Sequence, residues 1–470
     1  MLYTLIRLLY LIPLLSGFFL LKLCGARPDI ARLLRRLGPS FVKLGQTLSV
    51  RPDIVGHAYA ARLAQLQDSM PPFSGKKAQH MIESALHAPI RELFLTFDRV
   101  PVAAASIAQV HRARTHAGED VAVKVLRPGI ARAFRRDIRL FYILARLIAC
   151  VPGLRRLRPK EVVDHFADII RKELDLRLEA ASASEFATYM AHDAGIHVPK
   201  VYWPYTTQII LVTEWVHGVP IHDMTALQEK KHHLPNLAKQ MYLHFLNQAY
   251  RDGFFHADIH PGNVFVRDDG IIVPVDFGIM GRLDEQTRLY VAEILRGFLM
   301  ADYAHVADIH FKAGYVPGDQ DRGDFMLALR AIGEPIFNCP ASEISVARLL
   351  TLLFKVTRDF NMHTQPQLLL LQKTMILIEG VCKQLDPDIN LWEVAKPWVE
   401  VWAKKNLGLR AQVRRKAGLV AETLAILPLR IQQLTTSLEK NTSPSPVLSS
   451  TQMAIWWLLG SLVLWVVCTH

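Results

Sequence analysis

Hydrophobic positions fall along this chain in three rhythms. Over residues 27 to 95 they recur at helical spacing, broken by turns at Pro71-Pro72 and Ser74-Gly75. Over residues 96 to 126 the rhythm shortens. LTFDRV, IAQVHRA and DVAVKVL are short β-rich runs parted at His116-Ala117-Gly118, and they predict a small antiparallel sheet. Helical spacing returns over about 130 to 150 and 160 to 191, with Val151-Pro152-Gly153 between. QIILVTEWV reads as a further strand. After it the chain reads as mostly helical to about residue 440, apart from VFVRDDGIIVPV, a short hairpin turning at Asp269-Gly270. A small β-rich lobe ahead of a helical lobe predicts an α+β, two-lobe arrangement.

Both ends are apolar. The opening stretch MLYTLIRLLYLIPLLSGFFLLKLCG holds Arg7 and Lys22 inside the run and shows no clear small-x-small cleavage site. It predicts a helix lying in a membrane interface, with a signal or signal-anchor as the rival. The closing stretch MAIWWLLGSLVLWVVC, Met453 to Cys468, carries no charge and places Trp456, Trp457 and Trp465 like interface anchors. Its rise of about 24 Å is short of a hydrocarbon core of about 30 Å. Behind the linker NTSPSPVLSSTQ and the basic run KKNLGLRAQVRRK, it predicts a C-terminal membrane anchor with its basic side in the cytoplasm.

Composition agrees with membrane contact. The apolar fraction is 51% and the net charge +12, and no zinc finger or aromatic-basic stacking motif accompanies that charge. An anionic membrane surface therefore fits better than nucleic acid. Five scattered cysteines without a CxxC point to a reducing compartment and away from a disulfide framework.

The candidate chemistry lies in the order of a few parts. Ala103, Ala105, Ala108 and Val110 occupy the places of G-x-G-x-x-G-x-V, the loop that covers nucleotide phosphates, and Lys124 follows in V-A-V-K. HADIHPGNVFV has the layout H-R-D-x-x-x-x-N, with Asp258 on the catalytic aspartate and Asn263 on the metal-binding asparagine. VDFG then supplies Asp276 as a second oxygen ligand for Mg²⁺. His256 and His260 flank Asp258 and raise a transition-metal alternative. The bend at Pro261-Gly262 and the lack of further ligands at metal spacing favour His256 as a brace of the loop. LVTEWVHG reads as a hinge strand, with Thr213 at the gatekeeper place and the backbones of Glu214 and Val216 facing adenine. Lys124 needs a carboxylate to hold it. RKELDLRLEAASASEF offers Glu173, Asp175 and Glu179 on one predicted helix, with Asp175 and Glu179 on a shared face. After the DFG comes IMGRLDEQTRLY without an A-P-E, too short a segment for a peptide platform.

With these parts in this order, the chain resembles the UbiB family of atypical kinases, bacterial ubiquinone-biosynthesis proteins with mitochondrial and plastid relatives. The resemblance runs from about residue 25 to at least 405. KLGQ, Lys43 to Gln46, matches the family's K-x-G-Q. VAAASIAQVHRA matches its alanine-rich loop, and KELD supplies E-x-D at Glu173 and Asp175. TQPQLLLLQKTMILIEGVCKQLDP is similar to the helical region of bacterial members.

The resemblance implies an atypical protein-kinase-like two-lobe fold with an N-terminal helical extension and a C-terminal transmembrane helix. The expected parts are an apolar segment (1–24), the extension (25–95), a nucleotide-binding N-lobe with inserted helices (96–215) and a helical C-lobe (216–403). A basic helix and linker (404–452) and the anchor (453–468) follow. ATP and Mg²⁺ are the implied cofactors. Ala103, Ala104, Ala105, Ser106, Ile107, Ala108, Gln109 and Val110 would cover the nucleotide. Lys124 would contact its phosphates and pair with Glu179. Asp258 would be the catalytic-loop aspartate, and Asn263 and Asp276 the metal ligands. Lys43 and Gln46 would regulate, lying over the site against Glu173 and Asp175 and blocking the groove for a peptide.

The implied activity is an ATPase that supports ubiquinone biosynthesis by handling lipid quinone precursors. It would act at the cytoplasmic face of the bacterial inner membrane, with lipids and other quinone-biosynthesis proteins as partners and no nucleic acid. A homodimer stays open. So do two alternatives: a phosphotransferase acting on a small molecule or lipid, and a nucleotide-binding scaffold. Alanine in place of glycine costs roughly 1 kcal/mol wherever φ must be positive. The loop is therefore expected to sit differently over the phosphates and to favour slow hydrolysis over phosphoryl transfer.

Overall fold

The structure is a computed structural model, and it describes residues 30–49, 71–150, 158–337 and 365–406, with a few isolated positions between them. The chain divides into residues 1–399 and 400–470. Of the second unit only residues 400–406, the end of a helix, are described.

Helices α1 (Ile30–Leu37) and α2 (Pro39–Ser49) form the extension, and α3 (Gly75–Leu86) and α4 (Ile90–Leu93) lead into the sheet. The sheet has strands β1 (Thr96–Phe97), β2 (Ala103–Ala104), β3 (Ala108–Arg114), β4 (Asp120–Leu126) and β5 (Ile210–Glu214). Its order is β1-β3-β4-β5, all antiparallel, with β2 pairing β3. Between β4 and β5 are inserted α5 (Ile130–Ala149), α6 (Pro159–Glu173) and α7 (Leu176–Met190). The period of two explains the aim of the key lysine. Val121, Val123 and Val125 are fully buried against Ile82, Phe94, Ile210 and Val212. Lys124, one step out of phase, therefore emerges on the opposite face.

The helical expectation over 160 to 191 is corrected in one place. One helix ends at Glu173 and the next begins at Leu176, with Asp175 as its N-cap, accepting from the Arg177 N–H at 3.2 Å. An aspartate whose oxygen satisfies an orphan amide starts a helix better than it continues one. Glu173 and Glu179 thus stand on different helices, and Asp175 does not share a helical face with Glu179.

The second lobe runs β6 (Val219–Pro220), α8 (Met224–Glu229), α9 (Leu234–Leu246), β7 (Phe254–His256), β8 (Val264–Val266), β9 (Ile272–Pro274) and β10 (Met280–Arg282). Then come α10 (Glu285–Leu299), α11 (Tyr303–Lys312), α12 (Arg322–Phe337), α13 (Pro366–Leu385) and α14 (Leu391–Asn406). The expected hairpin forms: β8 pairs β9, with Gly270 at φ 82° in the turn. The catalytic loop lies between β7 and β8.

The expected transmembrane helix is corrected. Among the described residues no helix is long and apolar enough to cross a membrane. The longest, α5 and α13, interrupt their apolar runs with charge: five arginines in α5, and Lys373, Glu379 and Lys383 in α13. The stretch carrying the expectation, 453–468, lies outside the described residues, as do 1–24 and 407–452.

Candidate active site

The two lobes bring four distant segments together. From β4, Lys124 extends its Nζ to 2.8 and 3.0 Å from the two carboxylate oxygens of Glu179, in the first turn of α7. The same Nζ lies 3.3 Å from Oδ1 of Asp276. Burial opposes the charge on Lys124, but Asp276 and Glu179 together more than offset it and hold the ammonium above its ordinary value. Burial also pushes Glu179 up to about 7, against the pull of Lys124 and with the Asp276 carboxylate adding to the rise. Asp276 moves the other way. Burial is outweighed by Lys124, the Gly278 N–H and Lys43, so its carboxyl sits well below the usual aspartate range.

Asp276 has φ of 63°, the left-handed region that a non-glycine residue enters only when held there. Its Oδ1 accepts from the Gly278 N–H at 3.3 Å. Phe277 is buried against Phe186 of α7, ring centres 5.6 Å apart, and against His256, 5.5 Å apart. This column ties the helix carrying Glu179 to the DFG segment and the catalytic loop.

His256 braces the loop from within. It is fully buried, its Nε2 lies 3.2 Å from the Val275 carbonyl, and its Nδ1 accepts from the Asp258 N–H at 3.2 Å. Burial lowers its pKa, which suits a neutral ring accepting at Nδ1. Among the described residues no three His, Cys, Asp or Glu side chains gather into a metal cage. Asn263 donates its amide to the Asp258 carbonyl at 3.2 Å, which leaves the amide oxygen for a cation. The Val275 N–H donates to the Asn263 carbonyl at 2.8 Å, so the hairpin brings Asn263 beside Asp276. One carboxylate and one amide fit Mg²⁺, which keeps waters and phosphate oxygens as its other ligands.

The alanine loop is a strand and a tight turn. Ala103 pairs with Val110 and Ala104 with Gln109, and the Ala105 N–H donates to the Ala108 carbonyl at 2.8 Å. Ser106, Ile107 and Gln109 are buried. None of these residues has positive φ, so alanine is accommodated without strain. At the hinge, Glu214 ends β5 and its N–H donates to the Lys200 carbonyl. The Trp215 N–H donates to Asp120, and Val216 follows these two pins.

Lys43 lies 2.8 Å from Glu173, both side chains nearly buried. Asp175, in contrast, is held by Arg177 in a two-point pair, at 2.9 and 2.6 Å. Gln46 lies one helical turn past Lys43, half-buried on α2.

One contact lies outside the motifs read from the sequence. Lys373 of α13 reaches across to Asp258, Nζ to Oδ1 at 2.9 Å. The available signal is a lone cation inside LLLLQKTMILI, which an apolar helix keeps only with a partner.

An ABC1 atypical kinase-like domain matches residues 65–310, and a UbiB helical domain matches residues 329–390. A Marinobacter nauticus protein described as "Probable protein kinase UbiB" is 42% identical over 414 residues, covering 87% of this chain and 74% of its own. An Aeromonas salmonicida protein of the same description is 41% identical, covering 86% and 76%. A solved structure, the Rv3197–erythromycin complex from Mycobacterium tuberculosis, superposes with a TM-score of 0.52 at 25% identity, over 81% of this chain and 97% of that one. The fold and site thus define an ABC1-type atypical kinase. Within that class the chain belongs to the UbiB family, and membership implies a kinase-like enzyme with a role in ubiquinone biosynthesis.

Proposed function

We propose that the chain binds Mg-ATP between the sheet and the catalytic loop and hydrolyses it to drive the handling of hydrophobic quinone precursors. The observation that carries this is Lys124 held between Glu179 and Asp276. A lysine fixed by a carboxylate is pre-aimed at phosphate oxygens. Asn263 and Asp276 would hold the Mg²⁺, which when bound supplies neutralising charge at the phosphates. Asp258, positioned by Lys373 and by its N–H on His256, orients water.

Two features favour hydrolysis over protein phosphorylation. After Gly278 the chain goes directly into β10, which pairs with β7, and α10 starts at Glu285. A Cβ on Gly281 would meet the Phe255 ring at 2.1 Å, so this segment lies tight on the lobe. Residues 279–284 leave no platform for a peptide. The Lys43 extension, latched to Glu173, sits close enough to act on Asp276. The quinone precursors are membrane lipids, so the work takes place at the cytoplasmic face of the inner membrane, alongside other quinone-biosynthesis proteins.

Thermal unfolding of Asp276→Asn with ATP, in Mg²⁺ and in EDTA, tests the nucleotide reading. The Mg²⁺-dependent gain should vanish. Quinone intermediates in a deletion strain complemented by Lys124→Met and Asp276→Asn test the coupling. Full quinone production by both variants would favour a scaffold. A labelled lipid formed from labelled ATP would favour a phosphotransferase.

A further inference from the structure

The insertion between β4 and β5 carries a surface that the nucleotide site does not use. Helix α5 reads IARAFRRDIRLFYILARLIA. Arg132, Arg135, Arg136 and Arg139 are exposed, followed by Ile143, Arg146 and Leu147. At 3.6 residues per turn these fall within an arc of about 120°. The helix's inner stripe, Phe134, Leu140, Phe141 and Ala145, is buried in the lobe core. The outer stripe is thus a separate amphipathic face, cationic toward the N-terminal end and apolar toward the C-terminal end.

The apolar end is open. Ile143 and Leu147 are 38% and 60% exposed. The one acid in α5, Asp137, is buried. The acids of the neighbouring α6 are engaged. Asp164 accepts from Tyr142, Asp168 pairs with Arg171, and Glu161 pairs with Arg158.

We infer that the exposed face of α5 docks on an anionic membrane surface, its arginines on lipid phosphates and Ile143 and Leu147 below the headgroups. Charge complementarity selects this occupant. Arginine stems cover apolar surface while their guanidiniums reach phosphate, and such a mix of basic and apolar side chains on one helix suits the interface of an anionic bilayer. A second copy of this chain would bring a like-charged face against the arginines and a further net charge of +12. The inference builds on the reading that the precursors are membrane lipids, and it names the surface by which the lobe meets them.

The test places a nitroxide at Leu147→Cys in the full chain, with Cys24, Cys150, Cys339 and Cys468 replaced by serine. Local accessibility is read with phosphatidylcholine vesicles, with and without phosphatidylglycerol. Because the readout is local, apolar segments elsewhere that hold the chain on vesicles do not confuse it. With phosphatidylglycerol the label should become oxygen-accessible and shielded from a nickel chelate. Arg139→Gln with Arg146→Gln should lower the inserted fraction about tenfold. A label that stays nickel-accessible on vesicle-bound protein overturns the inference. So does equal insertion without phosphatidylglycerol, or shielding that appears on concentrating the protein without vesicles, the mark of a second copy. ATP hydrolysis by the same preparation reports on the nucleotide reading separately.

Discussion

Lys373 and Asp258 meet at 2.9 Å although 115 residues separate them. The helical domain therefore reaches into the HADIHPGN loop, through a cation placed on Asp258. Each side chain is about a third exposed, so the pair is modest in stability and its weight is positional. Lys373→Met should lower the turnover of ATP hydrolysis tenfold or more, roughly the scale of a lost charged hydrogen bond. The affinity for nucleotide should change little, and Lys373→Arg should retain most of the turnover. Steady-state kinetics of the two variants decide it. A Lys373→Met enzyme with normal turnover would leave the contact without a role.

Glu179 supplies a pH dependence. Its folded value of about 7 lies above the ordinary 4.5. Between these values the folded chain holds a proton that the unfolded chain has lost. The contribution of this group to stability therefore falls as pH rises from about 4.5 through 7. Urea midpoints between pH 5 and 8 should show a shallower pH dependence for Glu179→Gln than for the parent protein. Parallel curves would contradict the buried, proton-retaining carboxyl.

The Lys43–Glu173 pair is nearly closed to solvent, 11% and 6% exposed at the side chains. Removing one partner of such a pair leaves a buried charge and costs about 3–5 kcal/mol. Lys43→Met should destabilise by that order, and adding Glu173→Gln should recover part of it. A double-mutant cycle by chemical denaturation measures the coupling, and strict additivity would argue against a latch.

The alanine loop makes a different kind of prediction. Because no residue there needs positive φ, Ala103→Gly or Ala105→Gly adds freedom to the unfolded chain without relieving strain. Each should cost about 0.4–1 kcal/mol. Each should also loosen the phosphate cover and alter nucleotide affinity and autophosphorylation. Unchanged values in both assays would deny the alanines a restraining role.

These residues also mark what could be read in advance. The place of Lys124 on a strand is legible in V-A-V-K. The Asp258–Asn263–Asp276 set was legible because a hairpin turn at Asp269-Gly270 closes a short loop. The break at Leu174-Asp175 was hidden, since helical spacing runs on through a capped restart and an aspartate serves either side of it. Lys373 was hidden for another reason. Periodicity reports which face is apolar, and it says nothing about which distant carboxylate a lone cation will find. The alanines misled by analogy with glycine: β2 and its turn follow a path that never enters the left-handed region.

The extension has a further consequence. Phe41 of α2 packs edge-on against Phe141 of α5, with ring centres 4.9 Å apart, and belongs with Leu37 to the same core as Phe134 and Phe166. A lid that swings freely would not share a core with the lobe it covers. Trimming the chain to a minimal kinase domain starting near residue 65 would therefore remove part of the foundation of the α5–α6 insertion. Fragments chosen by domain boundaries alone should be insoluble or partly unfolded, and the smallest unit that keeps this core intact begins ahead of Leu37.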